Sequence, residues 1–468
     1  MPELDSSIFD LRKLERLGTA RCTSLKRLSS NTCSPALTEF NAGDCINLQE
    51  FSVPFASTDG LLLGLSDSWN GNELPSSILN QTKYELFDCD LTESLADLPE
   101  NFAHHISLNN PPNLEHDPSI TLHKVLPSPA FITLKHLLIS GIPMLSEIPD
   151  NISLLSSLET LELIAIGIRS LPETIKHLPR LYRLYVARCG ILQSIPTLSL
   201  NLVDFTVLDC GSLETVLSSM EEPRDKPNLS TVILRNCQNL DPHSYDTVLN
   251  KAIAGIELGA TGEDNTIHYL LPYMPDREYW FNHPSKEFSF PLELPPNLLG
   301  FAYYLVLTQG TVGKGVRFGC ECYLESSSGE SERICITRFP RADIFQYCAC
   351  CGNEAIIYMW SDHVVLWYDP VSCKQIMEAV EKIKAINDMS SNPKLTFKFF
   401  IDGNVCHHVV IQECGFHWIY KKETVSSTIF ESHDEDKETV PPTRKLMQHV
   451  YGRTPMPSLG SDERKGLR

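Results

Sequence analysis

The sequence lacks an excess of basic charge. Its 468 residues carry 39 Lys and Arg against 59 Asp and Glu, which gives a formal net charge of −20. A protein that binds nucleic acid or an anionic membrane needs a basic surface to neutralise phosphates. We therefore expect no nucleic-acid partner and no membrane partner, and the charge favours basic proteins as partners.

Long apolar runs and a secretory leader are also missing. The longest apolar run, from Leu298 to Leu307, is half of the about 20 residues that a membrane helix needs. The first residues do not show the basic segment and apolar segment of a signal peptide. We therefore expect an intracellular protein, in the cytoplasm or the nucleus, whose 16 cysteines are mostly reduced and buried.

Complete motifs for nucleotide binding are absent. The segment from Gly310 to Gly315 is rich in glycine and contains Lys314. A phosphate-binding loop also needs a glycine five residues before the lysine and a hydroxyl residue after it, but those positions hold Gln309 and Gly315. The segment is better interpreted as a turn between two strands.

Metal-binding and catalytic patterns are incomplete as well. The cysteines at 348, 350 and 351 do not have the two- to four-residue separation of structural zinc ligands. The pairs His104–His105 and His407–His408 would point to opposite faces of a strand, which opposes chelation. No nucleophile has a recognisable base beside it. We expect no metal, no cofactor, no catalytic residue and no enzymatic activity.

One unit, Leu-x-x-Leu-x-Leu-x-x-Cys, recurs through the first half of the chain. Five consecutive copies, in which Ile, Val or Phe fill some slots, begin at Leu134, Leu158, Leu181, Leu202 and Leu229, so the offsets are 24, 23, 21 and 27 residues. This period is typical of leucine-rich repeats. Each copy predicts a short strand with alternate side chains buried, and stacked copies form a solenoid with a parallel sheet on its concave face.

The connections between the strands carry a second signature, Leu-Pro-x-x-Ile or Ile-Pro-x-x-Ile, at 74–78, 148–152 and 171–175. Proline there predicts a tight turn or one turn of helix on the convex side. Weaker repeats reach the N-terminus, with Cys22 and Cys45 spaced 23 residues apart, and 53–130 is degenerate. We assign residues 1–240 to the repeats and 241–267, which include a short helical pattern at 245–256, to a cap or linker.

Repeat geometry also predicts that the concave face exposes alternate strand residues in three columns that cross the repeats, which include Ser140 and Ala187. Arg and Tyr among them are typical of binding hot spots, and several apolar residues stand where solvent is otherwise expected. The candidates for partner binding are His136, Leu138, Thr160, Glu162, Ile164, Arg183, Tyr185, Asp204, Thr206, Leu208, Thr231, Ile233 and Arg235.

The hydrophobic period changes to two in the second half. Phe288, Phe290 and Leu292 alternate with other residues, and further strand-like runs lie at 299–308, 316–324, 355–360, 395–401, 408–413 and 416–420. This pattern predicts a mainly-β sandwich over 268–420, interrupted by one helix at 371–386. Residues 421–468 lack any period and are predicted to be a disordered tail.

The repeats and the block after them resemble plant intracellular disease-resistance receptors of the TIR–nucleotide-binding–leucine-rich-repeat class. The resemblance covers roughly residues 1–420. In the second half it is carried by Tyr269–Pro272, Trp280–Phe281, Leu292–Pro296, Leu299–Ala302 and Glu413–His417. It implies that the second half is the family's C-terminal jelly-roll/Ig-like domain, the C-JID.

The resemblance implies the recognition end of such a receptor, in which the repeats and the C-JID contact a pathogen effector or a host protein. A TIR domain, which cleaves NAD, and a nucleotide-binding domain have no room before the first repeat, so neither activity is carried over. The repeats could also act on TIR and nucleotide-binding domains of a longer receptor. The alternative hypothesis is a stand-alone leucine-rich-repeat adaptor or scaffold that binds an endogenous protein.

Overall fold

The repeat motif of the first half forms a ladder of short parallel strands in the computed structural model of the chain. The structure describes residues 3–55, 61–66, 68, 84–100, 102–110, 117–216, 229–260, 266–312, 316–325, 331–339, 357–387, 393–402 and 409–420. These residues all belong to one compact unit, which ends at Lys421. The Leu-Pro-x-x-Ile signature at 74–78 and the tail predicted after 420 lie outside the described residues.

Ten of the strands in the first half pair side by side in one parallel sheet, in the order β1-β3-β5-β6-β7-β8-β9-β10-β12-β14. The remaining four form two parallel pairs, β2 with β4 and β11 with β13. The strands are β1 (Arg16–Gly18), β2 (Arg27–Ser29), β3 (Glu39–Asn41), β4 (Glu50–Ser52), β5 (Leu61–Gly64), β6 (Tyr84–Asp90), β7 (Ala103–Asn109), β8 (His136–Ser140), β9 (Thr160–Ile164), β10 (Arg183–Ala187), β11 (Ser194–Ile195), β12 (Asp204–Leu208), β13 (Thr215–Val216) and β14 (Thr231–Arg235).

The spacing of the leucines produces this ladder because alternate strand residues point into the core. Leu161 and Leu163 of β9 are fully buried, as are Leu184 and Val186 at the same slots of β10. After seven of the strands, β1, β3, β8, β9, β10, β12 and β14, the chain turns through a residue with a positive φ. These corner residues are Arg21, Asp44, Gly141, Ala165, Arg188, Asp209 and Asn236.

The corner residues are tied to one another by backbone hydrogen bonds. Gly141 N donates to Ile164 O at 2.9 Å, and Ala165 N donates to Ala187 O at 2.8 Å. Asp209 N donates in the same way to Arg235 O at 2.9 Å. Each repeat therefore satisfies the corner N–H of the repeat before it, which compensates for the left-handed backbone of the non-glycine corner residues.

Proline precedes short helical turns between the strands, as the sequence predicts. Pro149 precedes one turn of 3₁₀-helix at Asp150–Leu154, and Pro172 precedes another at Glu173–His177. Further short 3₁₀-helices are Ser6–Asp10, Glu93–Asp97 and Pro275–Trp280. The fixed φ of proline, −66° and −69° here, holds the chain in the extended conformation that leads into each turn.

The stretch predicted to be degenerate, 53–130, contains three strands of the same sheet. Ile106 and Leu108 of β7 pair in register with Leu137 and Ile139 of β8 and are fully buried. The stretch also contains the helix α1 (Pro118–Val125), and α2 (Pro129–Ile132) follows directly after it. The ladder therefore continues through this stretch wherever the structure describes it.

The second half of the chain is mainly antiparallel. Its two long helices are α3 (Pro242–Ala260) and α4 (Pro370–Asn387). Its strands are β15 (Ile267–Pro272), β16 (His283–Ser285), β17 (Ser289–Glu293), β18 (Leu298–Leu307), β19 (Gly310–Val312), β20 (Arg317–Glu325), β21 (Ser331–Arg338), β22 (Ile357–Met359), β23 (His363–Tyr368), β24 (Lys394–Asp402) and β25 (Ile411–Tyr420).

Aromatic side chains join two sheets in this half. One sheet has the order β17-β24-β20-β21, and it packs against β23-β18-β25 of the larger sheet. The Phe397 and Phe416 rings lie 4.7 Å apart across the interface, and Tyr303 stacks on Trp367 at 5.1 Å. Trp367, Tyr303 and Phe416 are at most 1% exposed. The second half therefore has an aromatic core between two β-layers.

The large sheet runs without interruption from the first half into the second. Thr231 of β14 pairs in parallel with His268 of β15, and β15 then pairs antiparallel with β23. Helix α3 occupies most of the predicted cap or linker, between β14 and β15. In the described part of the chain the sheet has fifteen strands, and its parallel and antiparallel parts meet at β15.

The structure differs from the predicted strand list at β25. The runs predicted at 408–413 and 416–420 are one strand, because Gly415 continues the strand where a break was expected. A Cβ at Gly415 would meet the carbonyl oxygen of His283 at 2.0 Å. The glycine thus permits the close approach of β16 rather than a turn.

The strand β23 has no counterpart in the predicted list either. All six of its residues are buried, so its sequence shows no alternation of apolar and polar residues. A strand covered on both faces reads as a short continuous apolar run and cannot be recognised by a period of two.

Candidate functional site

The predicted partner-binding residues lie on one face of the parallel sheet, in three columns that cross the strands. The register pairs β8 with β9, β9 with β10, β10 with β12 and β12 with β14. The first column is His136, Thr160, Arg183, Asp204 and Thr231. The second is Leu138, Glu162, Tyr185, Thr206 and Ile233, and the third is Ser140, Ile164, Ala187, Leu208 and Arg235.

The exposure of this face decreases toward the second half of the chain. On β8, β9 and β10 the column residues are half-buried, with the exceptions of Thr160 and Ala187. The prediction of exposed side chains is wrong for six column residues, which are 2–7% exposed: Thr160, Ala187, Thr206, Leu208, Ile233 and Arg235. Five of the predicted partner-binding candidates are among these six, and they are not available to a partner in this arrangement.

The burial at the end of the ladder has a structural cause. The segment Tyr358–His363 of the second half is hydrogen-bonded to Asn236, the corner residue that follows β14. Repeat spacing cannot predict this contact, because the two segments are separated by more than 120 residues in the chain. The face therefore divides into a part on β8–β10 that is accessible except at Thr160 and Ala187, and a largely covered part on β12 and β14, where only Asp204 and Thr231 are half-buried.

Ion pairs fix two of the column arginines. Arg183 Nε lies 3.4 Å from Asp204 Oδ2, and both side chains are about three-quarters buried. Arg235 Nη2 lies 2.7 Å from Asp209 Oδ2, with 8% of the arginine side chain exposed. Burial raises the pKa of the Tyr185 hydroxyl above its usual value, and the Arg235 guanidinium opposes that shift. The tyrosine is therefore a neutral hydrogen-bonding group at neutral pH.

Two histidines stand at the other end of the first column. His105 of β7 pairs in register with His136 of β8, and their rings stack with centroids 5.1 Å apart. His104, the neighbour of His105 on the same strand, is half-buried. The stacked histidines extend the accessible face by one strand beyond the columns that the sequence predicts.

Asn236 makes three hydrogen bonds to the second half and one to the neighbouring repeat. Its side-chain Nδ2 donates to Asp209 Oδ1 at 2.6 Å and to the Tyr358 carbonyl at 2.7 Å. Its Oδ1 accepts from Trp360 N at 2.9 Å. Its backbone N–H donates to Nε2 of His363 at 3.0 Å. The residue is fully buried, so these bonds are shielded from water and position the segment Tyr358–His363.

The sequence signal for this junction is weak. Asn236 stands in the corner position before Cys237, where asparagine is one of the residues that tolerate a positive φ. Nothing in the sequence links that position to Tyr358, Trp360 or His363. These four residues are the part of the site that sequence reasoning missed.

Most of the cysteines that the structure describes are buried, as the sequence predicts. Cys45, Cys189, Cys210 and Cys237 are fully buried after their strands. Cys22 is an exception, because it is exposed in the repeat that contains the edge strand β1. Burial raises the pKa of the Cys237 thiol to about 12, so this residue is an inert core thiol.

Most of the other motifs that the sequence singled out lie in parts of the chain that the structure does not describe. The cysteines at 348, 350 and 351, the histidines at 407 and 408, and residues 313–315 lie outside the described residues. Among the residues that the structure describes, no group of three or more His, Cys, Asp or Glu side chains could hold a metal ion. In the same part of the chain, no helix has the length and apolar character to cross a membrane.

Two known proteins to which the chain is similar are a disease resistance-like protein and a probable disease resistance protein of a plant. No family profile matches the chain. It is 24% identical over 494 aligned residues to disease resistance-like protein DSC1 of Arabidopsis thaliana, and the alignment covers 97% of the chain and 38% of that relative. It is 26% identical over 238 residues to a probable disease resistance protein of the same species, covering 48% of the chain and 13% of that relative.

The chain is homologous to plant disease resistance-like proteins. The similarity to the first relative extends through both halves of the chain, while the chain spans well under half the length of either relative.

Proposed function

We propose that the chain is the recognition module of a plant intracellular immune receptor of the TIR–nucleotide-binding–leucine-rich-repeat class. In this proposal the parallel ladder is a leucine-rich-repeat solenoid, and the second half is a jelly-roll/Ig-like C-JID. The module binds a protein, either a pathogen effector or a host protein, and performs no reaction itself. It acts in the cytoplasm or nucleus, together with TIR and nucleotide-binding domains of a longer receptor.

The accessible face on β8, β9 and β10 carries this proposal. It brings Glu162, Arg183 and Tyr185 together with the apolar Leu138 and Ile164 on adjacent strands, all half-buried. Tyr and Arg are the residue types enriched at binding hot spots, and strands of one sheet hold them rigidly. A mixed face of this kind is suited to a folded protein partner rather than to a small molecule.

The experiment that tests the proposal is an interaction screen of the full chain against pathogen effectors and host proteins in plant cells, read by co-immunoprecipitation. Arg183→Glu and Tyr185→Ala should each reduce binding of the recovered partner at least tenfold. Matched controls are Arg180→Glu and Tyr182→Ala, because these residues have the same chemistry three positions earlier, are exposed, and lie outside the columns.

Two outcomes of this experiment would count against the proposal. A partner that binds the Arg183→Glu and Tyr185→Ala variants as tightly as the unchanged chain would contradict the proposed face. A stable partner recovered only from uninfected tissue, with no effector bound, would favour the adaptor hypothesis instead.

A further inference from the structure

Two aromatic side chains project into solvent beside the junction of the two halves. Tyr358 is 60% exposed and Trp360 is 51% exposed, whereas Met359 between them is only 4% exposed. This alternation places the two aromatic rings on the same outer side of the chain. Tyr and Trp are among the residue types enriched at binding hot spots, and here two of them are exposed side by side.

The backbone under both aromatic residues is fixed. Asn236 holds the carbonyl of Tyr358 and the N–H of Trp360 with bonds of 2.7 and 2.9 Å. On the other side, Tyr358 pairs with Thr311 in the antiparallel pair of β19 and β22. The edge of the Trp360 ring also rests over Gly211, 3.9 Å from where a Cβ would stand. The two aromatic residues are therefore pre-organised, which lowers the entropic cost of binding.

The spacing of the two residues along the chain is compatible with a flat ligand group between their side chains. Tyr358 lies in β22 and Trp360 follows its last residue, Met359, and Cα atoms two residues apart in an extended chain are about 6.6 Å from each other. A planar group stacked about 3.5 Å from each ring needs a gap of about 7 Å. The guanidinium of arginine is planar, stacks on aromatic faces and is attracted to them as a cation.

The charges around the pair also favour a cation. Asp362 lies two residues after Trp360 and is only half-buried, with its Oδ1 accepting the N–H of Gln309. The carboxylate of Asp209 stands at the same corner, where it pairs with the buried Arg235. The chain as a whole has a net charge of −20, which attracts basic partners over long range.

We propose that Tyr358 and Trp360 form a clamp for an arginine side chain of the protein that the module binds. The clamp deepens the proposed function and rests on it, because it names the chemistry by which the partner is recognised at the junction. The guanidinium stacks between the two rings, and its edge faces the carboxylate of Asp362.

The test measures the clamp on the chain alone, so it does not depend on a known partner. The full chain is labelled with 5-fluorotryptophan, which gives one ¹⁹F signal for each of its five tryptophans. N-acetylargininamide is then added up to 50 mM, with N-acetylglutaminamide as the uncharged probe. The Trp360 signal, assigned from a Trp360→Leu variant, should shift with the arginine probe and not with the glutamine probe.

Substitutions identify the second wall of the clamp. Tyr358→Leu should abolish the shift of the Trp360 signal, whereas Tyr182→Leu, at a tyrosine that is 42% exposed elsewhere, should leave it unchanged. An equal shift with both probes, no shift at all, or a shift that survives Tyr358→Leu would overturn the clamp. These outcomes leave the proposed function untouched, because its own test uses partner binding to β8–β10.

Discussion

His363 accepts the backbone N–H of Asn236 on its imidazole Nε2, at 3.0 Å. In the preceding repeats the equivalent corner N–H donates to a backbone carbonyl of the next strand, as from Asp209 to Arg235. No further repeat follows Asn236 in the described chain, so the histidine takes the place of that carbonyl. Since Nε2 is the acceptor, the proton is on Nδ1, which donates to the Ser361 carbonyl at 2.8 Å.

The first prediction concerns this substitute acceptor. His363→Phe keeps a flat ring but leaves the buried N–H of Asn236 without a partner, which costs about 1–3 kcal/mol of the free energy of unfolding. His363→Gln, which offers an amide oxygen, should recover part of that loss. Urea denaturation followed by circular dichroism measures both. His177→Phe, at an exposed histidine, serves as the control and should change stability by less than about 0.5 kcal/mol.

The second prediction is a loss of stability in mild acid. Burial lowers the pKa of His363 to about 4, with the Ser361 carbonyl acting in the opposite direction, and burial likewise lowers the pKa of His268 to about 4. Below the ordinary value of 6.5, the unfolded chain takes up protons that the folded chain does not accept until about pH 4. The stability from these two groups is therefore complete above pH 6.5 and is lost as the pH falls toward 4.

The size of the acid effect can be measured. A shift from 6.5 to about 4 corresponds to about 3 kcal/mol for each histidine at full protonation. Urea denaturation at pH 7.5, 6.5 and 5.5 should show that the free energy of unfolding falls with pH. In His363→Gln this fall should be smaller, because one histidine fewer takes up a proton on unfolding. A stability that is flat between pH 7.5 and 5.5 would contradict the assignment of neutral buried histidines.

The third prediction compares two aspartates at the same corner position. Asp209 and Asp44 both have φ of 57°, but Asp209 pairs with Arg235, whose side chain is 8% exposed, whereas Asp44 pairs with Arg21, whose side chain is 78% exposed. Asp209→Asn should cost about 2–3 kcal/mol, because it removes a carboxylate that pairs with a buried guanidinium. Asp44→Asn should cost less than about 1 kcal/mol. Thermal or urea unfolding of the two variants gives the comparison, and equal losses would refute it.

The strands and columns of the repeats were predictable from the sequence because leucine spacing records burial directly. The register of β8 to β14 matches the predicted columns position by position. Burial within one column was not predictable. Leu138 and Ile233 share a column, yet only Ile233 is buried, since its strand lies beside the contact between Asn236 and the segment Tyr358–His363.

The strands in the stretch 53–130 could not be predicted from the sequence for a different physical reason. In β7 the buried Ile106 and Leu108 occupy the repeat slots, but Ala103, His104 and His105 before them dilute the leucine pattern. Pairing with β8 stabilises β7 as a strand although its local sequence does not predict one, because backbone hydrogen bonds form regardless of side-chain type. The junction residues likewise depend on contacts between distant segments, which no local pattern encodes.

The last prediction concerns Gly415, which the sequence suggested was a break and the structure places inside β25. A Cβ there would lie 2.0 Å from the His283 carbonyl and 2.8 Å from the Tyr304 ring. Gly415→Ala must therefore displace β16 and should destabilise the protein by about 3 kcal/mol, at the upper end of the cost of overpacking. Gly190→Ala, at a glycine with no atom within 4 Å of its would-be Cβ, should be neutral within about 0.5 kcal/mol. Both variants add one methyl group, so a difference between their urea midpoints measures the effect of the close approach of β16 to Gly415. Equal midpoints would show that β16 does not pack there.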